Sequence, residues 1–135
     1  MEHVELYRLA RRALDQAYAP FSGFQVGAAL LTESGAVYTG VNVENGSYGA
    51  TICAERTALT SAVTDGHRRF QAIAVASSGG EAWPCGICRQ FLFEFGDDCL
   101  VITGEDETKL HTMRIDQLLP HGFRLHNGNK SKESL

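Results

Sequence analysis

The sequence lacks any apolar run near the roughly 20 residues needed to cross a bilayer, and it lacks an excess of positive charge. Its 12 Lys and Arg face 16 Asp and Glu, for a net charge of −4. A chain that grips polynucleotide shows a basic excess or a basic stripe. With neither, the expected partner is a small molecule, with no nucleic acid and no membrane. The N-terminal MEHVELYRLARRALDQAY is charged and amphipathic, without the continuous apolar stretch of a signal peptide, so a cytoplasmic protein is expected. Internal repeats are also absent. The one polar, biased stretch is HNGNKSKESL at 126–135, expected to be a flexible tail. Residues 1–125 of the 135, in a chain 44% hydrophobic, are then expected to form one domain with its own core.

Hydrophobic periodicity supplies the elements. Val4, Leu6, Leu9, Ala10, Ala13, Leu14 and Ala17 form a helical stripe over 4–18, ended by Pro20. FQVGAALLTESGAVYTGVNVEN reads as a β-hairpin, with strands over 24–32 and 36–44 and a turn near Ser34-Gly35; Asn45-Gly46 closes it. A helix follows over 53–65, then an apolar strand over 70–77. Gly79-Gly80 and Pro84 frame a loop before a second helix over 85–95. CLVIT at 99–103 is a further strand, and 113–120 a weaker strand-to-helix element. Helices alternating with short strands after a hairpin predict a mixed sheet with helices packed on it.

Cysteine is scarce, and its placement is informative. An even count of four (Cys53, Cys85, Cys88 and Cys99) permits two disulfides, but disulfides are uncommon in the cytosol. The Cys85-x-x-Cys88 spacing points to a metal or a redox pair. Both this pair and Cys53, within TICAERTAL at 51–59, sit where a loop enters a helix. A helix N-terminus favours the thiolate, and three thiolates suit tetrahedral zinc with its fourth position open to water, as catalytic sites keep it. Cys99 heads a β-type run and reads as a small buried residue. His3, His67, His111, His121 and His126 stand in exposed-looking or terminal contexts. A thiol–disulfide oxidoreductase would use Cys85 and Cys88 but leave Cys53 idle; a structural zinc module would give no role to Glu55.

Glu55, two residues past Cys53, can reach the metal's open face and take a proton from water there. By itself it also fits a carboxylate favoured by the helix dipole. Three thiolates on Zn2+ leave a formal charge of −1, which opposes ionising a water. A guanidinium at Arg56 would draw charge back from a thiolate; the plainer alternative is a surface arginine. In VNVEN, strand alternation puts Asn42 and Glu44 on one face, suited to sharing a sugar hydroxyl, although an ordinary strand with one wet face gives the same pattern.

C-A-E followed downstream by P-C-x-x-C is the zinc deaminase signature, whose nucleobase-deaminase form carries His where Cys53 stands. Together with FSGFQVGAALL, GVNVENGSYG, TICAERTAL and PCGICRQ, spread from about Leu6 to Phe123, it makes the chain resemble the small, homotetrameric cytidine deaminases. The resemblance implies an α/β fold in three layers, α-β-α, with a central mixed five-stranded sheet flanked by helices. It implies one Zn2+ per chain on Cys53, Cys85 and Cys88, with Glu55 shuttling protons. The implied reaction is hydrolysis of cytidine and 2′-deoxycytidine to uridine and 2′-deoxyuridine with release of ammonia, as in pyrimidine salvage. On the same resemblance Asn42 and Glu44 bind the ribose 3′-OH, Phe24 stacks on the base, and the Ala54 backbone N–H contacts the base carbonyl. Tyr48 and Phe123 are expected to come from neighbouring chains of a homotetramer, and His121 stands where a small residue is expected. A related zinc deaminase acting on a cytosine nucleoside antibiotic, or on cytidine within RNA, is the alternative. The acidic charge disfavours RNA, and the Asn42/Glu44 pair favours a free sugar.

Overall fold

Alternate residues of the central strands face opposite ways, and both sets are apolar. In β1 (Val26–Thr32), Ala28 and Leu30 go to one side and Ala29 and Leu31 to the other; in β3 (Phe70–Ser77), Ile73 opposes Ala72, Ala74 and Ala76. Strands buried on both faces need cover on both. The computed structural model, which describes residues 1–125, supplies it with helices. The tail at 126–135 lies outside the described residues.

Leu6, Tyr7 and Ala10 of α1 (His3–Ala13) cover one face. The other is covered by Ala54, Ala58, Leu59 and Ala62 of α2 (Ala54–Thr64), with Leu92 and Phe93 of α3 (Gly86–Phe93) and Ile115 and Leu118 of α4 (Ile115–Leu118). Each fully buried Leu, Ile or Val in these layers contributes about 1.5–3 kcal/mol relative to exposure. With β2 (Val37–Val41), β4 (Leu100–Gly104) and β5 (Leu110–Arg114), the sheet order is β2-β1-β3-β4-β5. Only β3 and β4 run parallel, joined through α3. This is the mixed five-stranded, three-layer arrangement expected.

Three boundaries differ from expectation by three residues or more, and two of these differences build the site. The helix expected over 4–18 stops at Ala13 and tightens into a 3-10 turn over Leu14–Gln16. Tyr18 then leaves to pair with the chain after β2: its N–H donates to Asn42 O (3.0 Å), and its carbonyl accepts from Glu44 N (2.8 Å). The strand expected over 36–44 ends at Val41, and Val43 is held instead by single bridges to Tyr18 and Ile52. Near the C-terminus, β5 begins at Leu110, where it pairs with Gly104, three residues before the strand-to-helix element expected at 113–120; its helical half is present as α4.

Close approach sets the helices on the sheet. A Cβ at Gly27 would lie 2.1 Å from Ala10 O of α1, and one at Gly40 would lie 2.6 Å from Ala54 O and 2.4 Å from Ala58 N of α2. Only glycine allows such contact. Gly40 thereby brings the first turn of α2 directly onto β2, two residues before Asn42.

Candidate active site

Cys53 and Cys85 are the N-cap residues of α2 and α3, both in extended conformation (ψ 154° and 170°). Their carbonyls accept the first helical bonds, from Thr57 N (3.1 Å) and Arg89 N (2.9 Å). Cys88 lies one turn into α3 and is buried. Since α2 and α3 pack on the same sheet face, their N-termini meet, and all three Sγ atoms fall within 4.8 Å of one another. Cys53 Sγ and Cys85 Sγ are 3.7 Å apart. Four ligands at zinc–sulfur distance sit about 3.8 Å apart at the corners of a tetrahedron, so the donor set and its spacing fit zinc. Among the described residues no fourth His, Cys, Asp or Glu joins the cluster. Cys99 is buried elsewhere in the core, and burial pushes its thiol up to about 12.

In the chain alone Cys53 ionises first. The Cys88 thiol donating to it, with Arg56 and Cys85 close by, brings Cys53 down to about 5 against the opposing effect of burial. Cys88, the donor and itself buried, is pushed up. Arg56 Nη2 lies 3.5 Å from both Cys53 Sγ and Thr51 O, while its Nε is buried without a partner. Arg56 is therefore built into the cluster rather than lying on the surface. Glu55 is only 5% exposed. Burial above all, and then the Cys53 thiolate, pushes its carboxyl up to about 7, although a backbone hydrogen bond and Arg56 pull the other way.

A second constellation gathers on the loop before β1. Asn42 is buried, its Oδ1 accepting from Val26 N (2.9 Å) and its Nδ2 donating to Phe24 O (2.8 Å). The Glu44 carboxylate accepts from Phe21 N (2.9 Å), from Ser22 N (3.1 Å) and from the Ser22 hydroxyl. The Ser22 hydroxyl, followed by the two N–H groups, holds Glu44 below the usual carboxylate range. Asn42 and Glu44 thus both reach the 21–26 segment. They do so from irregular backbone after β2, rather than by the alternation of a strand running to 44.

The description "Cytidine and deoxycytidylate deaminase zinc-binding region" belongs to the family model that matches residues 1–103, which contain the whole cluster. The chain belongs to the cytidine deaminase family. It is 51% identical over 125 residues to a cytidine deaminase of Sporosarcina psychrophila, covering 91% of this chain and 92% of that one. It is 43% identical over 131 residues to one of Halalkalibacterium halodurans, covering 96% and 99%. The crystal structure of a cytidine deaminase from Burkholderia pseudomallei superimposes with a TM-score of 0.86 at 45% identity, over 91% of this chain and 100% of that one.

The remaining residues expected from the cytidine deaminase pattern are placed as follows. Ala54 is the first residue of α2 and is buried; Phe24 is 45% exposed. Tyr48, 79% exposed, borders a hollow of about 390 Å3 with Phe21, Ser22, Glu44, Asn45 and Thr51. Phe123 is set against α3, where its carbonyl accepts from Gln90 Nε2 (3.1 Å), and the residue is 62% exposed. Just before it, His121 adopts φ 58°, the left-handed conformation that favours glycine, which explains why a small residue is expected there.

Sequence reasoning did not single out Ser22 or Arg89. Arg89 Nε donates to Pro84 O (2.7 Å) and its Nη1 to Leu118 O (2.9 Å), tying the Cys85 loop to α4. The sequence signal for Ser22 is the turn dipeptide Ser22-Gly23; in the structure Gly23 takes φ 71°, and the N–H groups of residues 21 and 22 share Glu44 as acceptor.

Proposed function

We propose that the protein is a zinc-dependent hydrolase that converts cytidine and 2′-deoxycytidine to uridine and 2′-deoxyuridine, releasing ammonia. The observation that carries this reading is the cluster of three thiols at two helix N-termini with the buried Glu55 one helical position beyond Ala54. Zinc held by Cys53, Cys85 and Cys88 supplies the Lewis acidity that makes water an effective nucleophile near neutral pH. The chain's own groups do the remainder. Glu55, buried in the first turn of α2 with its carboxyl pushed up by burial, both accepts and returns protons in the reaction. It takes a proton from the attacking water and delivers it to pyrimidine N3 as C4 is attacked, then takes the proton of the new C4 hydroxyl and passes it to the amino group, which leaves as ammonia as the C4 carbonyl forms.

Binding follows from groups left free. The first N–H groups of a helix have no intrahelical partner, which leaves the Ala54 N–H to meet the base carbonyl. One Nδ2 hydrogen of Asn42 is taken by Phe24 O; the second and the Glu44 carboxylate serve the sugar 3′-OH, and Phe24 stacks on the base. Arg56 holds charge on Cys53.

Assembly into a homotetramer completes the reading. Tyr48 and Phe123 are exposed aromatics, and Ile87, Phe91 and Phe95 line an apolar hollow of about 560 Å3 along α3; both features suit burial against neighbouring copies, with Tyr48 and Phe123 entering a neighbour's site. A cytoplasmic role in pyrimidine salvage fits the nucleoside substrates, and no helix among the described residues is long and apolar enough to cross a membrane. Incubation with cytidine, deoxycytidine, cytosine and adenosine, read by ammonia release, should show turnover of the first two alone, with about one zinc per chain by metal analysis. Release from cytosine or adenosine but not from cytidine would overturn the substrate assignment. Light scattering should give a tetramer, and a fully active monomer would refute shared sites.

A further inference from the structure

Two glycines follow β3, and only one is required by its own backbone. Gly80 has φ 95°, which favours glycine. Gly79 lies outside that region, so its backbone would accept a side chain. What excludes one is Phe24: a Cβ on Gly79 would stand 2.9 Å from Phe24 Cε1, with Cδ1 at 3.7 Å and Cζ at 3.8 Å. The Phe24 ring rests on the bare backbone of Gly79.

Neither backbone can retreat to make room. Ser77 Oγ donates to Gly80 O (2.8 Å) and accepts from Gly79 N (3.1 Å). Ser78 is tied to the residue after Phe24 twice: its N–H donates to Gln25 O (2.9 Å), and its Oγ accepts from Gln25 N (3.0 Å). Phe24 is held in turn through its N–H on Ser22 Oγ (3.0 Å) and its carbonyl on Asn42 Nδ2 (2.8 Å). The part free to move is the ring of this exposed residue, whose Cε1 edge is toward Gly79.

We propose that Gly79 is a positioning residue that sets the tilt of the Phe24 ring and thereby the affinity for the nucleoside base. The inference rests on the reading that Phe24 stacks on the base. It adds that the stacking plane is fixed by the absence of a side chain on a turn 55 positions away in sequence, and that a single methyl group there would turn the ring outward while sparing the fold.

Gly79→Ala in the zinc-loaded full chain tests this. Stacking of a base on an aromatic is worth about 1–3 kcal/mol, and a tilted ring forfeits part of it. The expected result is a rise of about 3- to 10-fold in KM for cytidine and in the inhibition constant of uridine, with kcat changed less than about two-fold and the thermal midpoint unmoved. Combined with Phe24→Ala, Gly79→Ala should have no further effect, because two residues acting through one contact are not additive. An unchanged KM in Gly79→Ala beside an impaired Phe24→Ala overturns the inference alone. So does a Gly79→Ala effect of the same size in the Phe24→Ala background, which would mark a general distortion. If Phe24→Ala itself leaves KM and uridine inhibition unchanged, the stacking reading falls, and the inference with it.

Discussion

Replacing Glu55 with Gln separates the two things a buried carboxyl does, serving chemistry and costing stability. Gln has nearly the same shape, so the pocket of a residue 5% exposed stays filled; what disappears is the proton. A positioned acid–base group is worth about 10²–10⁴ in rate. Glu55 is assigned several transfers in one turnover, so the upper end, a loss of about 10⁴ in kcat, is expected with zinc retained. Stability should move the opposite way. An unfolded chain gives up this proton near 4.5 and the folded chain near 7. Between those values the folded state holds more protons, so rising pH favours unfolding. Once ionisation is complete the cost is roughly 3 kcal/mol, and Gln never incurs it. Chelator-stripped Glu55→Gln should therefore exceed the stripped parent by roughly 3 kcal/mol at pH 8 and only about 1 kcal/mol at pH 5, measured by urea unfolding. Ammonia release at near the parent rate would refute the proton shuttle. An equal stability difference at both pH values would refute the elevated carboxyl.

Two further substitutions or treatments probe the cluster and the core. Arg56→Gln removes the cation beside Cys53, 3.5 Å from its sulfur. Groups that support metal ligands in this way are worth about 10- to 100-fold in metal affinity, so competition with a chromophoric chelator should show weaker zinc binding, and unchanged affinity would leave Arg56 without its assigned role. Cys99, with its thiol pushed up to about 12 by burial, is ionised to roughly one part in ten thousand at pH 8. Iodoacetamide at that pH should leave Cys99 unmodified in the folded protein, as read by peptide mass, while chelation exposes Cys53 and Cys85 to it. Rapid alkylation of Cys99 in the folded protein would refute its burial.

How legible the molecule was in its sequence depended on whether each feature leaves a local trace. The strand at 70–77 was readable to the residue because a continuous apolar run ends against Ser78 and the glycines, where β3 ends. The placement of Cys53 and Cys85 at helix mouths was readable as well, because the apolar spacing of α2 and α3 begins just after each. That the two mouths meet is a non-local fact, since 32 residues separate the thiols. Spacing alone suggested it through the count of ligands zinc needs, and the motif resemblance supplied the rest.

The Asn42/Glu44 pair shows where such reading stops. Alternation put both residues on one strand face, yet β2 ends at Val41. Asn42 and Glu44 instead spend their polar atoms on backbone groups of the 21–26 segment. Asn, Asp and Ser side chains that bind backbone compete with regular ladders, so periodicity misleads at the residues that hold a loop in place. The consequence reaches past the strand boundary. The amide and carboxylate assigned to the sugar also fix the backbone of Phe24, directly from Asn42 and through Ser22 from Glu44. The groups proposed for the sugar and the ring proposed for the base therefore share one scaffold. Ser22 sits at the junction: its hydroxyl donates to Glu44 and accepts from Phe24 N–H, so loss of that single oxygen would loosen both contacts together.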